Sequence, residues 1–208
     1  MILGLETSTP CASLALLDPK DGTIAWRSDF ESDRAHNALI FAPVEELLGT
    51  FRDRITGIAV GIGPGSYGGV RVAISVANGL ALVLGVPVRG VSSLSAWEGD
   101  EDSYYVIGDA RRKTFFLAEV KQRELLGDPE LLTEEEIADR IEQLAAEGRT
   151  LVTADASVSD RWSEVTFSFP TAEAICLVAA KEDLGSWEEG ASVEPHYLRA
   201  PYITTPKR

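Results

Sequence analysis

The residues best suited to chemistry lie in one glycine-rich segment, residues 61–71, between an apolar run and a long apolar helix. Gly63, Gly65 and Gly68 satisfy the G-x-G-x-x-G pattern, which can place a helix N-terminus against a phosphate. The pattern follows the fourth predicted strand, however, and the next strand ends at Arg89 where a ribose-binding acid is expected. No Lys-Ser or Lys-Thr pair follows, so the segment is not a P-loop. We therefore expect a tight turn whose glycines allow a closely packed helix to begin.

Other side chains that could act as nucleophiles or metal ligands are few. Ser66 does not stand in the G-x-S-x-G elbow of hydrolases. His36 and His196 are the only histidines, and no histidine lies four residues from His36 to form a helical metal pair. Cys11 and Cys176 are far apart in sequence and have no metal-ligand spacing around them. The residues predict no catalytic set, no cofactor, no metal and no disulfide framework.

The predicted elements place this turn in a two-lobed α/β protein. Apolar runs in the first half predict strands and helices at 2–6, 13–17, 23–28, 33–48, 58–62, 68–84 and 86–89. Pro43 lies inside the helix at 33–48 and is expected to kink it. The second half repeats a hairpin-and-helix plan at 104–108, 114–120, 134–146, 150–153 and 172–184, with a capping box from Thr133 to Glu136. We expect one lobe at 1–97 and another at 98–208, ending in an extended tail from Val193.

The helix at 68–84 has almost no polar side, since Ser75 and Asn78 are its only polar side chains after Arg71. A surface helix normally pairs one apolar stripe with one polar face. A helix that is apolar all round must be covered on two sides, and its own sheet can supply only one cover. We therefore expect the outer side of this helix to bind a second polypeptide.

The composition argues against direct contact with anionic partners. The chain has 33 acidic and 19 basic residues and a net charge of −14, which repels phosphate backbones and anionic lipid. The acidic residues concentrated between Glu130 and Glu147 are typical of a solvated helix face. The N-terminus lacks the pattern of a signal peptide, and Gly85 and Pro87 interrupt the most apolar stretch. We expect a soluble cytoplasmic protein.

Four segments occur in the order found in one protein family. They are Leu3-Gly4-Leu5-Glu6-Thr7-Ser8, Gly63-Pro64-Gly65-Ser66-Tyr67-Gly68-Gly69-Val70-Arg71, Gly108-Asp109-Ala110-Arg111 and Glu194-Pro195-His196-Tyr197-Leu198-Arg199. Over nearly its whole length the chain resembles the TsaB (YeaZ) family. The resemblance implies a two-lobed actin-like (ASKHA, ribonuclease H-like) fold with mixed sheets. It also implies a non-catalytic partner of TsaD in forming N6-threonylcarbamoyladenosine at position 37 of tRNAs that read codons beginning with A, with the ATPase TsaE completing the bacterial set.

The chain departs from the family pattern in several places. Gly68 stands where the family usually has Thr, and the middle of the second half is short, which predicts a reduced C-terminal lobe. The first hairpin carries Glu6-Thr7-Ser8-Thr9-Pro10 where a phosphate loop offers Asp and Gly. A second glycine-rich phosphate loop and the paired-histidine metal motif of TsaD are absent from the sequence.

The resemblance places the contact with TsaD on the helices at 33–48 and 68–84. We hypothesise an interface formed by His36, Ile40, Val44, Val76 and Leu80. The same face is expected to form a homodimer when TsaD is absent, and tRNA is expected to be contacted only through the partners. The membrane is not an expected partner.

An enzyme in its own right is the alternative, either a degenerate nucleotide-dependent phosphotransferase or a peptidase acting on TsaD. Binding of a magnesium nucleotide by the isolated chain would favour the phosphotransferase, whereas the partner role predicts no such binding.

Overall fold

The computed structural model describes residues 1–31, 39–99, 102–187, 190 and 192–198. Its first sheet has the order β3-β2-β1-β4-β5, formed by β1 (Ile2–Glu6), β2 (Cys11–Leu17), β3 (Ile24–Glu31), β4 (Gly57–Gly61) and β5 (Val88–Val91). The first three strands form an antiparallel meander, whereas β4 and β5 run parallel to β1. Every residue of β1 and β4 is buried, as expected of central strands covered on both faces. The edge strand β3 alternates between half-buried and exposed residues.

Two helices, α1 (Phe41–Phe51) and α2 (Tyr67–Leu84), share one hydrophobic cluster with one face of this sheet. Ser66 caps α2 by accepting a hydrogen bond from Gly69 N, and Gly85 ends the helix in the left-handed conformation. The buried side of α2 consists of small and branched side chains, namely Gly69, Val70, Ala73, Ile74, Ala77 and Ala81. By length and mean hydropathy, 1.5, α2 could cross a membrane, but this packing makes it a core helix of the fold.

The helix predicted at 33–48 differs from α1 in its bounds. Its first six residues, His36 among them, lie outside the described residues. The predicted kink at Pro43 stays a prediction, because most of the helix before it lies outside the described residues; the described chain has a turn at Ile40, and Pro43 lies in the first turn of α1. A backbone N–H in the first helical turn has no intrahelical acceptor, so proline is tolerated there.

The second sheet repeats the strand order of the first. It follows β11-β10-β6-β7-β8, from β6 (Ser103–Asp109), β7 (Thr114–Lys121), β8 (Glu124–Leu125), β10 (Leu151–Thr153) and β11 (Thr166–Phe167), with β9 (Glu130–Thr133) also paired to β7. The strand β10 runs parallel to β6, as β4 does to β1. The helix α3 (Glu134–Ala146) covers one face and begins with the predicted Thr133–Glu136 capping box. The helix α4 (Ala156–Arg161) has six residues where α2 has eighteen, so the second lobe is reduced.

The last helix, α5 (Ala172–Ala179), crosses back to the first sheet. It packs on the face opposite α1 and α2, in a cluster with Ile2, Leu17 and Ala59. Its first turn is fixed by a hydrogen bond from Ala172 N to Ser13 Oγ, 2.8 Å. The division at 97/98 therefore separates the two sheets, but the segment from Ala172 packs on the first one. The helix predicted at 172–184 is also shorter, because a separate 3₁₀ turn follows at Leu184–Ser186.

The described tail, residues 192–198, contains no helix or strand and runs along the first lobe. Asn78 of α2 exchanges two hydrogen bonds of 3.1 Å with the backbone of Val193, one in each direction. Further along, His196 N donates to Ile62 O at 2.9 Å. One of the two polar side chains that follow Arg71 in α2 is thus satisfied by the tail.

Candidate functional site at the interlobe cleft

The glycine loop after β4 packs directly on the turn between β1 and β2. Ser66 N donates to Ser8 O at 2.7 Å, and Thr7 Oγ1 donates to Gly69 O at 2.7 Å. A Cβ at Gly65 would lie 2.3 Å from Ser8 O, and one at Gly69 would lie 2.0 Å from Thr7 O. Contact between two loops of the chain therefore requires glycine at both positions, as expected of a tight turn.

The remaining loop residues have different surroundings. Gly63 has φ +86°. Its carbonyl accepts a hydrogen bond from Ser93 N at 3.0 Å, and its N–H donates to Ser93 Oγ at 3.2 Å. Pro64 and Gly68 line the cleft described below, and a Cβ at Gly68 would meet nothing within 4 Å. The third glycine of the G-x-G-x-x-G pattern therefore makes no close approach within the described chain. Tyr67 stacks on Tyr197 of the tail with ring centroids 5.5 Å apart, and Arg71 lies over the Tyr67 ring.

Glu6, at the end of β1, is a fully buried acid beside this loop. Its Oε1 accepts a 2.6 Å hydrogen bond from Ser8 N, whereas Oε2 has no hydrogen-bond partner among the described residues. Burial raises the pKa of Glu6, and the hydrogen bonds from Ser8 offset part of this effect. Gly61 leaves room for it, because a Cβ there would lie 2.1 Å from Oε2 in the position that this side chain adopts. The Glu6 side chain thus accepts the hydrogen bond of Ser8 N, a backbone donor in a turn of the kind that phosphate loops offer to a ligand.

The four segments that carried the family resemblance meet around one cleft of about 1040 Å³ between the lobes. We call it the interlobe cleft. Its lining comes from the β1–β2 turn, the glycine loop, the stretch after β5, the β6–β7 turn, the start of α4, the end of β11 with the stretch after it, and the tail. The lining residues include Thr9, Ser66, Tyr67, Trp97, Asp109, Arg111, Arg112, Asp155, Phe167, Phe169, His196 and Tyr197. Sequence spacing could not reveal this convergence, because the segments are separated by up to about the length of the chain.

The proposed interface residues divide into two groups. Ile40 and Val44 are buried within the first lobe, so their side chains are not available to a partner in this structure. Val76 and Leu80 are half-buried at the edge of the same cluster. The most exposed apolar side chains of the two helices are instead Leu82, 85% exposed, Val83, 68%, and Phe41, 58%. Helical periodicity showed that α2 was apolar on every side, but which side faces outward depends on the sheet.

The candidate nucleophiles are not poised for attack. Cys176 is buried between α5 and the first sheet, and burial raises the pKa of its thiol. Cys11 is half-buried, and desolvation together with the nearby Glu31 carboxylate raises the pKa of its thiol as well. A thiol reacts as the thiolate, so a raised pKa lowers its reactivity. His196 is exposed at the rim of the interlobe cleft, and His36 lies outside the described residues.

Two sheets of the same mixed strand order, each carrying helices and meeting at a cleft, define a two-lobed α/β protein of the actin-like, ribonuclease H-like class. Residues 31–186 match the family model described as TsaD, tRNA N6-adenosine threonylcarbamoyltransferase. The chain is 33% identical to the tRNA threonylcarbamoyladenosine biosynthesis protein TsaB of Escherichia coli K12, over 95% of this chain and 94% of that protein. The chain belongs to the TsaB (YeaZ) family.

Solved structures agree with this assignment. A Pseudomonas aeruginosa protein described as similar to peptidase YEAZ superposes with a TM-score of 0.73 at 29% identity, over 95% of this chain and 99% of that one. YeaZ from the same organism gives 0.68 at 26% identity, over 86% and 91%. The predicted family and fold class are confirmed.

Proposed function

We propose that this chain is a non-catalytic, TsaD-binding subunit of the cytoplasmic complex that forms N6-threonylcarbamoyladenosine in tRNA. Membership of the TsaB family supports participation in this modification. The observation that supports a binding role is the outer side of α2, where Leu82 and Val83 are largely exposed while the opposite side packs on the first sheet. Exposed clusters of large apolar side chains mark interaction sites in soluble proteins.

The surface that we assign to TsaD combines α2 and α1, with Val76, Leu80, Leu82 and Val83 on the first and Phe41 on the second. Burial of such side chains contributes about 1.5–3 kcal/mol each before the costs of association are subtracted. Both helices belong to one hydrophobic cluster, so a partner that covers them would extend an existing core. TsaE joins the full complex, and a second copy of the chain occupies the same surface when TsaD is absent.

Co-purification with TsaD tests this surface. Leu82→Asp should weaken binding by about tenfold or more, because a charge would be buried in an apolar contact. Val76→Asp is expected to act in the same direction, but its half-buried side chain also touches the core, so Leu82 is the cleaner site. Leu131→Asp is the matched control, since Leu131 is 45% exposed on the second lobe. Binding of both α2 variants at the wild-type level would contradict the assignment.

Calorimetry with magnesium nucleotides separates the subunit role from the enzymatic alternative. Backbone N–H groups that could hold a phosphate are already paired within the chain: Ser66 N donates to Ser8 O, Gly69 N to Ser66 Oγ and Ser8 N to Glu6 Oε1. We therefore expect no heat of nucleotide binding from the isolated chain. Saturable nucleotide binding would instead favour a phosphotransferase. The exclusion of a homodimer by TsaD is checked separately by light scattering with and without the partner.

A further inference from the structure

The turn between β6 and β7 carries the only run of three cationic residues in the sequence, Arg111, Arg112 and Lys113. All three are exposed, and their backbones have positive φ angles of 67°, 58° and 59°. The turn is fixed from the inside, since Arg111 N donates to Asp109 Oδ1 at 2.6 Å and Thr114 Oγ1 donates to Arg111 O at 2.7 Å. The hairpin therefore fixes the backbone of the turn, and the three cationic side chains lie on the protein surface. We call these three residues the basic turn.

Two residues of the basic turn share the interlobe cleft with aromatic rings that the fold does not fully bury. Arg111 and Arg112 line the interlobe cleft together with Tyr67, Tyr197, Phe167 and Phe169. Phe167 is 46% exposed and touches Phe169 edge to face, with centroids 4.9 Å apart. Tyr197, also exposed, has one ring face against Tyr67. Flat apolar rings exposed in a polar cleft offer stacking surfaces to a planar ligand.

The local charge of the cleft differs from that of the whole chain. Among the described residues that line it, Asp109 and Asp155 are the only acids. Asp109 pairs with Arg111 at 3.5 Å, and Asp155 caps α4 by accepting from Ser157. The positive end of the long helix α2 also opens into the cleft at Ser66 and Tyr67. The lining thus balances two cations against two acids, and Lys113 adds a third exposed cation next to it, in a protein whose net charge is −14.

Cations for phosphates beside aromatic rings for bases are the combination with which proteins hold unpaired nucleotides. We propose that the interlobe cleft binds an unpaired segment of RNA, with a base stacked on Phe167 or Tyr197 and phosphates on the basic turn. A duplex would not fit this site, because its bases are already stacked and paired. The chain then contacts RNA directly, in addition to binding TsaD. Only the choice of tRNA as the natural ligand rests on the proposed function.

Fluorescence anisotropy with a labelled single-stranded RNA of about ten nucleotides tests the proposal, on the chain alone and on its complex with TsaD. The test variant is Arg111→Gln/Arg112→Gln/Lys113→Gln. The matched control is Lys20→Gln/Lys121→Gln/Arg149→Gln, which removes the same charge from exposed sites elsewhere. We expect about tenfold weaker binding for the test variant, less than about twofold for the control, and a salt slope lowered by about 2 in the test variant only. Equal losses in the two variants would overturn the site.

Aromatic variants separate stacking from charge. Phe167→Ala and Tyr197→Ala should each weaken RNA binding severalfold and leave the salt slope unchanged, because neither removes a phosphate contact. Adenosine monophosphate, added as a competitor, should not displace the RNA at comparable concentration, since it offers one phosphate and one base. Displacement at equal concentration would identify a site for free nucleotides and would overturn the assignment to RNA.

Co-purification keeps this result apart from the proposed function. The basic-turn variant should retain TsaD at the wild-type level, because the turn lies on the second lobe and the TsaD surface on the first. If the wild-type chain fails to bind TsaD but the RNA variants behave as expected, the subunit role fails and the RNA site stands. If TsaD binds and the RNA variants match the wild type, the RNA site fails alone.

Discussion

Gly68 and Gly69 are adjacent in the sequence but have opposite environments. A Cβ at Gly69 would lie 2.0 Å from Thr7 O, whereas a Cβ at Gly68 would meet nothing within 4 Å. Gly69→Ala should therefore lower the free energy of unfolding by about 2–3 kcal/mol, because backbone must move to admit the methyl group. Gly68→Ala should raise it by about 0.5 kcal/mol through helix propensity. Urea denaturation of both variants checks the contrast, and equal effects would show that the two loops do not touch as described.

The buried Glu6 carboxyl predicts a pH dependence. Its pKa is raised by burial, so the folded state holds the proton more tightly than the unfolded state does. Stability contributed by this group is present at low pH and is lost as the pH rises from the ordinary glutamate range through the raised pKa. Glu6→Gln does not titrate and keeps an acceptor for Ser8 N. The free energy of unfolding of the variant minus that of the wild type should increase from pH 5 to pH 8, and a constant difference would contradict the raised pKa.

At the scale of the element, Gly79 lies in the middle of α2, and no contact within the described chain requires a glycine there. It is exposed, and a Cβ there would meet nothing within 4 Å, although glycine in a helix interior costs about 1 kcal/mol relative to alanine. A close approach by a helix of TsaD would explain it. Gly79→Ala should then raise the stability of the isolated chain by about 0.5–1 kcal/mol and weaken TsaD binding.

Opposite signs in these two measurements distinguish a contact from a folding effect. Thermal unfolding of the isolated variant gives the first sign, and titration with TsaD gives the second. A variant that gains stability and binds TsaD as the wild type does would place Gly79 away from the partner.

At the scale of the whole molecule, α5 follows the second sheet in the chain and packs on the first. Leu94 and Trp97, in turn, pack in the hydrophobic cluster of the second sheet, so the two lobes should unfold together. Gly4 is the tightest point of this connection, because a Cβ there would lie 2.4 Å from Ala172 O and 2.5 Å from Cys176 Sγ. Gly4→Ala should destabilise both lobes by about 2–3 kcal/mol. Hydrogen exchange followed through a urea titration reports β1 and β6 separately, and two distinct midpoints in the wild type would show that the lobes are independent.

The sequence by itself determined the α/β class, the order of most elements, the capping box at Thr133 and the family. These depend on local periodicity, turn residues and short motifs, which are legible along the chain. It also showed that α2 is apolar on all sides, and it showed that the glycine loop is not a P-loop. The sequence could not show, however, which side of α2 is buried, because that depends on the sheet that covers the helix.

Only the tertiary structure decided that Ile40 and Val44 point inward while Leu82 and Val83 point outward. It also decided that α5 returns to the first sheet and that Arg111 and Arg112 line the same cleft as Phe167. The physical reason is the same in each case. These facts depend on contacts between residues far apart in the sequence, and such contacts are set by packing of the whole chain, which no local pattern encodes.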